Sequence, residues 1–246
     1  MMRAVRKSPA PERSTAESVR YAIDWLERKG SKVSRDGMAR YAIPSERAFG
    51  VSMKDVQALG KALGRDHALA LALWDTGWYE ARALCAYVDE SERVTSAQMD
   101  RWCRDFDNWA TCDTLCFALF DRTPHAWSRV VAWAKRKPEF ERRAAFALLA
   151  SLALHDRTAA DAKFVALLPL VERAADDERN FVRKAVSWAL RSIGGRNAAL
   201  NRAVVALARR LSESTDRTAR ATGKEVLREL AKPAVLKRLA RSARLR

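Results

Sequence analysis

Glycine, cysteine and histidine are scarce in this chain, with nine, four and three residues among 246. The glycines are scattered, which excludes the clustered loop whose backbone amides cradle a nucleotide phosphate. ATP-driven mechanisms are disfavoured accordingly. Cys112 and Cys116 share a helical face, but His67, His125 and His155 stand at no familiar ligand spacing. No metal and no cofactor is expected. With Cys85 and Cys103, these cysteines sit in apolar segments and lack the regular spacing of a disulfide framework, so buried, reduced thiols are expected. No run approaches the ~20 apolar residues of a membrane span. The charged start, with Pro9 and Pro11, offers no signal-peptide core. These absences point to a cytoplasmic protein with no membrane partner.

What is present is positive charge and helical grammar. Lys and Arg number 46 against 30 for Asp and Glu, a formal charge of +16. Such a surface repels itself unless a polyanion neutralises it, and nucleic acid is the commonest polyanion. Apolar residues make up 48% of the chain, enough for a substantial core.

Residues 1–13 read as a disordered basic arm, because two prolines and Arg3, Arg6, Lys7 and Arg13 stand without apolar periodicity. A single continuous domain is expected over 14–246. Ser14 and Glu17 have capping-box spacing ahead of Val19, Ala22, Ile23 and Leu26, with Gly30 as the stop. Ser52 with Asp55, Thr123 with Pro124, and Asn197 open further helices, and no segment reads as a strand. Helix pairs begin near Thr123, Ala160 and Asn197, a step of about 37 residues that is close to the repeat of HEAT-type solenoids. The expected fold is therefore all-α, a curved superhelix of antiparallel helix pairs. Second helices begin near Pro138, Arg179 and Arg217. They carry Arg142 and Arg143, then Arg183 and Lys184, then Arg220 and Lys224, and in a solenoid such positions line one concave face. The tail from Lys232 to Arg246 has no carboxylate and reads as a phosphate contact or a frayed end.

The stretch from Asp107 to Asp113 carries the most chemistry. With Asn108 as cap, Trp109 and Asp113 fall one turn apart on one face, so an indole and a carboxylate share a small patch. Arg143 and Trp188 lie on second helices of successive repeats. Trp25, Trp74, Trp78, Trp102, Trp127 and Trp133 fall at apolar helical positions and read as core. Taken on residue types alone, Trp109 is a core aromatic and Asp113 with Arg143 a structural ion pair.

Trp109, Asp113, Arg143 in Arg-Ala-Ala-Phe and Trp188 after Lys-Ala stand in an order and spacing that resembles the HEAT-like alkylpurine DNA glycosylases of the AlkD type. Met38 to Tyr41 and Phe49 to Val51 add to the likeness, which runs from about Met38 to Leu230. The resemblance implies hydrolysis of the N-glycosidic bond of N3- or N7-alkylated purines in double-stranded DNA by a protein for which a monomer suffices. It implies that Asp113 stabilises the oxocarbenium-like sugar and positions water, that Trp109 and Trp188 face the cationic nucleotide, and that Arg143 holds a phosphate. Tyr41, Arg183, Lys184, Arg220 and Lys224 would contact DNA. A noncatalytic DNA-binding member of the same scaffold and a protein-binding HEAT scaffold are the alternatives.

Overall fold

Side chains write the helix starts. Ser14 accepts from the Glu17 amide at 3.3 Å while the Glu17 carboxylate accepts from the Ser14 amide at 2.8 Å. This reciprocal cap satisfies amides that have no partner within the helix. Gly30 ends that helix as expected. The structure, a computed structural model, describes residues 13–244, with side chains through residue 241. The arm expected for residues 1–13 lies outside the described residues except for Arg13. Among the described residues there is no strand, and none of the helices is long and apolar enough to cross a membrane.

The chain forms two compact units. The first unit holds α1 (Thr15–Lys29), α2 (Lys32–Gly37), α3 (Met53–Leu63), α4 (His67–Asp75) and α5 (Tyr79–Val88). Its tightest polar knot is at Glu80, a fully buried residue of α5. The Glu80 carboxylate accepts from the amides of Phe49, Gly50 and Val51 at 2.9, 2.7 and 3.1 Å. Gly50 has φ +79, and a Cβ there would lie 2.3 Å from the Ser31 carbonyl oxygen, so only glycine fits.

The second unit holds residues 40–44 and everything from Glu90 onward. Its helices are α6 (Ser96–Arg104), α7 (Trp109–Ala118), α8 (Ala126–Trp133), α9 (Glu139–His155), α10 (Asp161–Glu172), α11 (Asn180–Gly194), α12 (Ala198–Ser212), α13 (Arg217–Leu230) and α14 (Pro233–Arg244). The starts expected at Pro138, Ala160, Arg179 and Asn197 are the observed N-caps of α9, α10, α11 and α12.

Contacts across the stack recur at a fixed sequence step. Arg143 meets Phe181, Ser187 meets Glu225, and Arg210 meets Glu172, each pair 38 residues apart. Near its start α9 meets the start of α11, and near its end the Ala153 carbonyl accepts from Arg196, just past α11. The two helices therefore run parallel, as corresponding members of successive repeats must. The Cys112 and Cys116 thiols reach the carbonyls of Phe140 and Ala144 in one register, which sets α7 alongside α9.

Helix α9 explains the order of the stack. Every residue from Arg143 to Ala153 is buried, as befits a helix packed against α7, α8 and α11 at once. Alanines at 144, 145, 147, 150 and 153 let those neighbours approach closely. Within the tail, Pro233–Arg244 forms α14 with Leu239 buried, and Lys232 pairs with Glu229 at 2.6 Å. The frayed end envisaged from its composition is replaced by an amphipathic helix. All four cysteines are free and buried, as expected.

The tryptophans divide in a way that apolar spacing does not reveal. Trp74, Trp102 and Trp133 are core, whereas Trp25, Trp78 and Trp127 are only half-buried. Each of the latter carries a cation over its ring, Lys29 at 5.8 Å, Arg47 at 5.7 Å and Lys163 at 5.1 Å respectively.

Candidate functional site

Helix α7 begins where Asn108 stops the chain from Phe106. The buried Asn108 side chain accepts from the Thr111 amide at 2.9 Å and donates to the Thr111 hydroxyl at 3.1 Å. That cap makes Trp109 the first helical residue and sets Asp113 one turn below it on the same face. The Trp109 indole N–H donates to the Tyr41 carbonyl at 2.8 Å, which fixes the ring's rotation. Tyr41 precedes Ala42, whose φ of 55° is left-handed and unfavourable for a residue with a Cβ. A strained turn thus presents the carbonyl that anchors the indole.

Asp113 receives a two-pronged hydrogen bond from Arg143, Nε to Oδ1 at 2.9 Å and Nη2 to Oδ2 at 2.6 Å. The third prong, Nη1, donates to the Phe181 carbonyl at 2.6 Å. The guanidinium also lies 5.9 Å from the Phe181 ring centroid, and that ring packs on Phe140 at 5.2 Å. Arg143 is 6% exposed at its side chain and Asp113 20%. The Asp113 side chain therefore keeps part of its surface open, and Arg143 keeps almost none.

Burial pushes the Asp113 carboxyl above the ordinary aspartate range, against the hydrogen bonds and charge of Arg143, which pull it down. Each carboxylate oxygen accepts one guanidinium N–H in this geometry and retains acceptor capacity for a water. The arrangement holds a negative charge in a fixed orientation beside an indole, at a place where solvent screening is weak.

Arg143, expected to hold a phosphate, is engaged within the protein in this structure. Its fork is committed to Asp113 and to a backbone carbonyl, so it positions the carboxylate. Trp188 shares a stripe of α11 with Phe181 but lies two turns further along, about 10 Å by helical rise. There it lines a cavity of about 750 Å³ with residues from the ends of α9, α11 and α13 and the first half of α14. Among the expected DNA contacts, Tyr41, Lys184 and Lys224 are exposed. Arg183 faces Glu225 at 3.8 Å, and Arg220 turns back to donate to the Ser214 and Thr215 carbonyls at 2.6 and 3.0 Å. Those two arginines serve the stack before any ligand. Among the described residues no cluster of His, Cys, Asp or Glu could hold a metal ion.

Phe181 and Phe140 were not singled out by residue type, yet they wall the pair. The available signal was the seven-residue spacing from Phe181 to Trp188, which places both on one helical stripe.

Comparison with known proteins agrees with this architecture. The family model described as DNA alkylation repair enzyme matches residues 22–225. A solved structure, described as a new family of proteins related to the HEAT-like repeat DNA glycosylases with affinity for branched DNA structures, superposes with a TM-score of 0.74. The match covers 90% of this chain and 95% of that one at 17% identity, and shows a HEAT-like repeat fold. No curated protein matches the chain.

Proposed function

This chain belongs to the DNA alkylation repair enzyme family, and from that premise we propose that it hydrolyses the N-glycosidic bond of cationic N3- or N7-alkylated purines in double-stranded DNA. The observation that carries the reading is Asp113: clamped in orientation by Arg143, one turn from the Trp109 indole, and still one-fifth exposed. An alkylated purine already bears positive charge, so it leaves as a neutral base with little need of a general acid. Positive charge then develops on the deoxyribose. A carboxylate fixed beforehand stabilises that charge without reorganising and can align or deprotonate the attacking water. Trp109 offers an electron-rich face to the cationic nucleotide, worth about 0.5–2 kcal/mol. A neutral base such as uracil is a poor leaving group without acid catalysis, so its release should be negligible.

The test is release of 7-methylguanine or 3-methyladenine from alkylated duplex DNA. Wild-type protein is expected to release base and Asp113→Asn to be slowed by roughly 10²–10³-fold, the usual loss when one pre-set electrostatic stabiliser is removed. Equal rates in the two would remove Asp113 from the chemistry.

A second reading has its own support. The related solved structure is described by an affinity for branched DNA, and a fully engaged Asp113–Arg143 pair also suits a purely structural role. On that reading the protein holds bent or branched DNA through phosphate contacts, with strongly salt-dependent binding and no base release.

A further inference from the structure

The cavity around Trp188 has a chemistry of its own. Its basic lining comprises Arg157, Arg191, Arg196, Lys232 and Arg238, and its acidic lining is Glu229 alone. Glu229 is paired with Lys232 at 2.6 Å, and the lining as a whole carries more basic than acidic side chains. Arg196 belongs to the wall, since it donates to the Ala153 carbonyl at 2.8 Å and lies 4.5 Å from the Phe164 ring centroid. Arg191 is steadied at Nε by the Ser187 carbonyl and hydroxyl, both at 3.3 Å. Arg157 is exposed, just after the end of α9. Gly195 gives Arg238 its room, because a Cβ there would come within 2.5 Å of Nη2. Trp188, half-buried, is the aromatic of the lining.

A half-buried indole and several guanidinium groups lining one cavity match the two halves of a nucleotide, a flat base that stacks and a phosphate that takes charged hydrogen bonds. The cavity volume of about 750 Å³ lies in the range that accommodates small ligands. We propose that this cavity is a second DNA subsite, distinct from the Asp113 cluster, which captures one unpaired nucleotide of a tailed or branched substrate by stacking its base on Trp188 and holding its phosphate with Arg157 and Arg191. The proposal rests on the reading of the protein as DNA-binding, and it requires no base release.

The discriminating measurement is equilibrium binding of undamaged duplexes, one blunt and one with a short single-stranded oligothymidine tail, by fluorescence anisotropy. For the wild type the tail should raise affinity about tenfold, as one stacked base does. Trp188→Ala should bring the tailed-to-blunt ratio close to one, Trp188→Phe should keep most of it, and Arg157→Gln should lower it. A tail of abasic phosphates should give little of the gain. Circular dichroism of each variant identifies any that fails to fold, in which case the Phe and Gln variants carry the test. A wild-type ratio of one, a ratio unmoved by Trp188→Ala, equal gain from the abasic tail, or loss of the gain to competing polyglutamate each overturns the subsite. If the blunt duplex binds and the ratio is one, the subsite alone fails. If neither duplex binds, the DNA reading fails with it.

Discussion

Two regions along the same parallel helices use similar side chains to opposite ends. Near the starts of α7, α9 and α11, a guanidinium faces a carboxylate and a backbone carbonyl, and its charge is cancelled in place. Near the ends of α9 and α11, guanidinium groups outnumber acids around an indole. A balanced, buried pair holds one carboxylate still and suits a charge that appears only during reaction. A lining in which basic side chains outnumber acidic ones carries net positive charge and suits a ligand that arrives already anionic. Residue type therefore does not separate the chemistry of the two regions; local charge balance and depth do.

The sharpest way to break this contrast is to make comparable truncations in both regions and follow stability by thermal unfolding. Arg143→Ala strands a largely buried carboxylate and a backbone carbonyl, and should cost about 3 kcal/mol. Arg157→Ala removes an exposed cation and should stay within about 0.5 kcal/mol. Equal losses would erase the distinction between positioning pair and open cluster.

A smaller effect concerns pH. Asp113 acts as a carboxylate, and burial raises its pKa despite Arg143, so base release should be lost as pH falls through a value above the ordinary aspartate range. Arg143→Gln removes the influence that lowers it and should move this acid limb further up in pH–rate profiles. In linkage terms the raised pKa favours the folded state at low pH, and that contribution disappears as pH rises through the folded value. A limb in the ordinary range, unmoved by Arg143→Gln, would detach Asp113 from the rate.

The smallest effect is expected at the exposed lysines of the second helices. Lys184→Gln and Lys224→Gln should each reduce the salt dependence of duplex binding by about one unit of slope, with only modest loss of affinity. Unchanged slopes would place the duplex elsewhere.

Much of the fold was legible because caps are local. Ser14 with Glu17, Ser52, Asn108 and Asn197 announce helix starts within a few residues of themselves, and the step from Ala160 to Asn197 sets the repeat. Half-buried Trp25, Trp78 and Trp127 were read too deep because spacing marks the face a residue shares, not how fully neighbouring elements cover it. Trp188 shows a second limit. Spacing of seven tells which face a residue shares with Phe181, yet leaves it about 10 Å away along the axis. Glu80 shows a third: a carboxylate among apolar neighbours looks unremarkable until the three amides it serves, about 30 residues earlier, fold back to it.

The central claim, that Asp113 acts on the reacting sugar rather than merely bracing α7 against α9, is tested most directly by assaying base release and DNA binding on the same preparations of wild type and Asp113→Asn. The account predicts normal duplex affinity in both, with release of methylated purine collapsing in the variant. Undiminished release by Asp113→Asn, or no release by a wild type that binds DNA tightly, would contradict it.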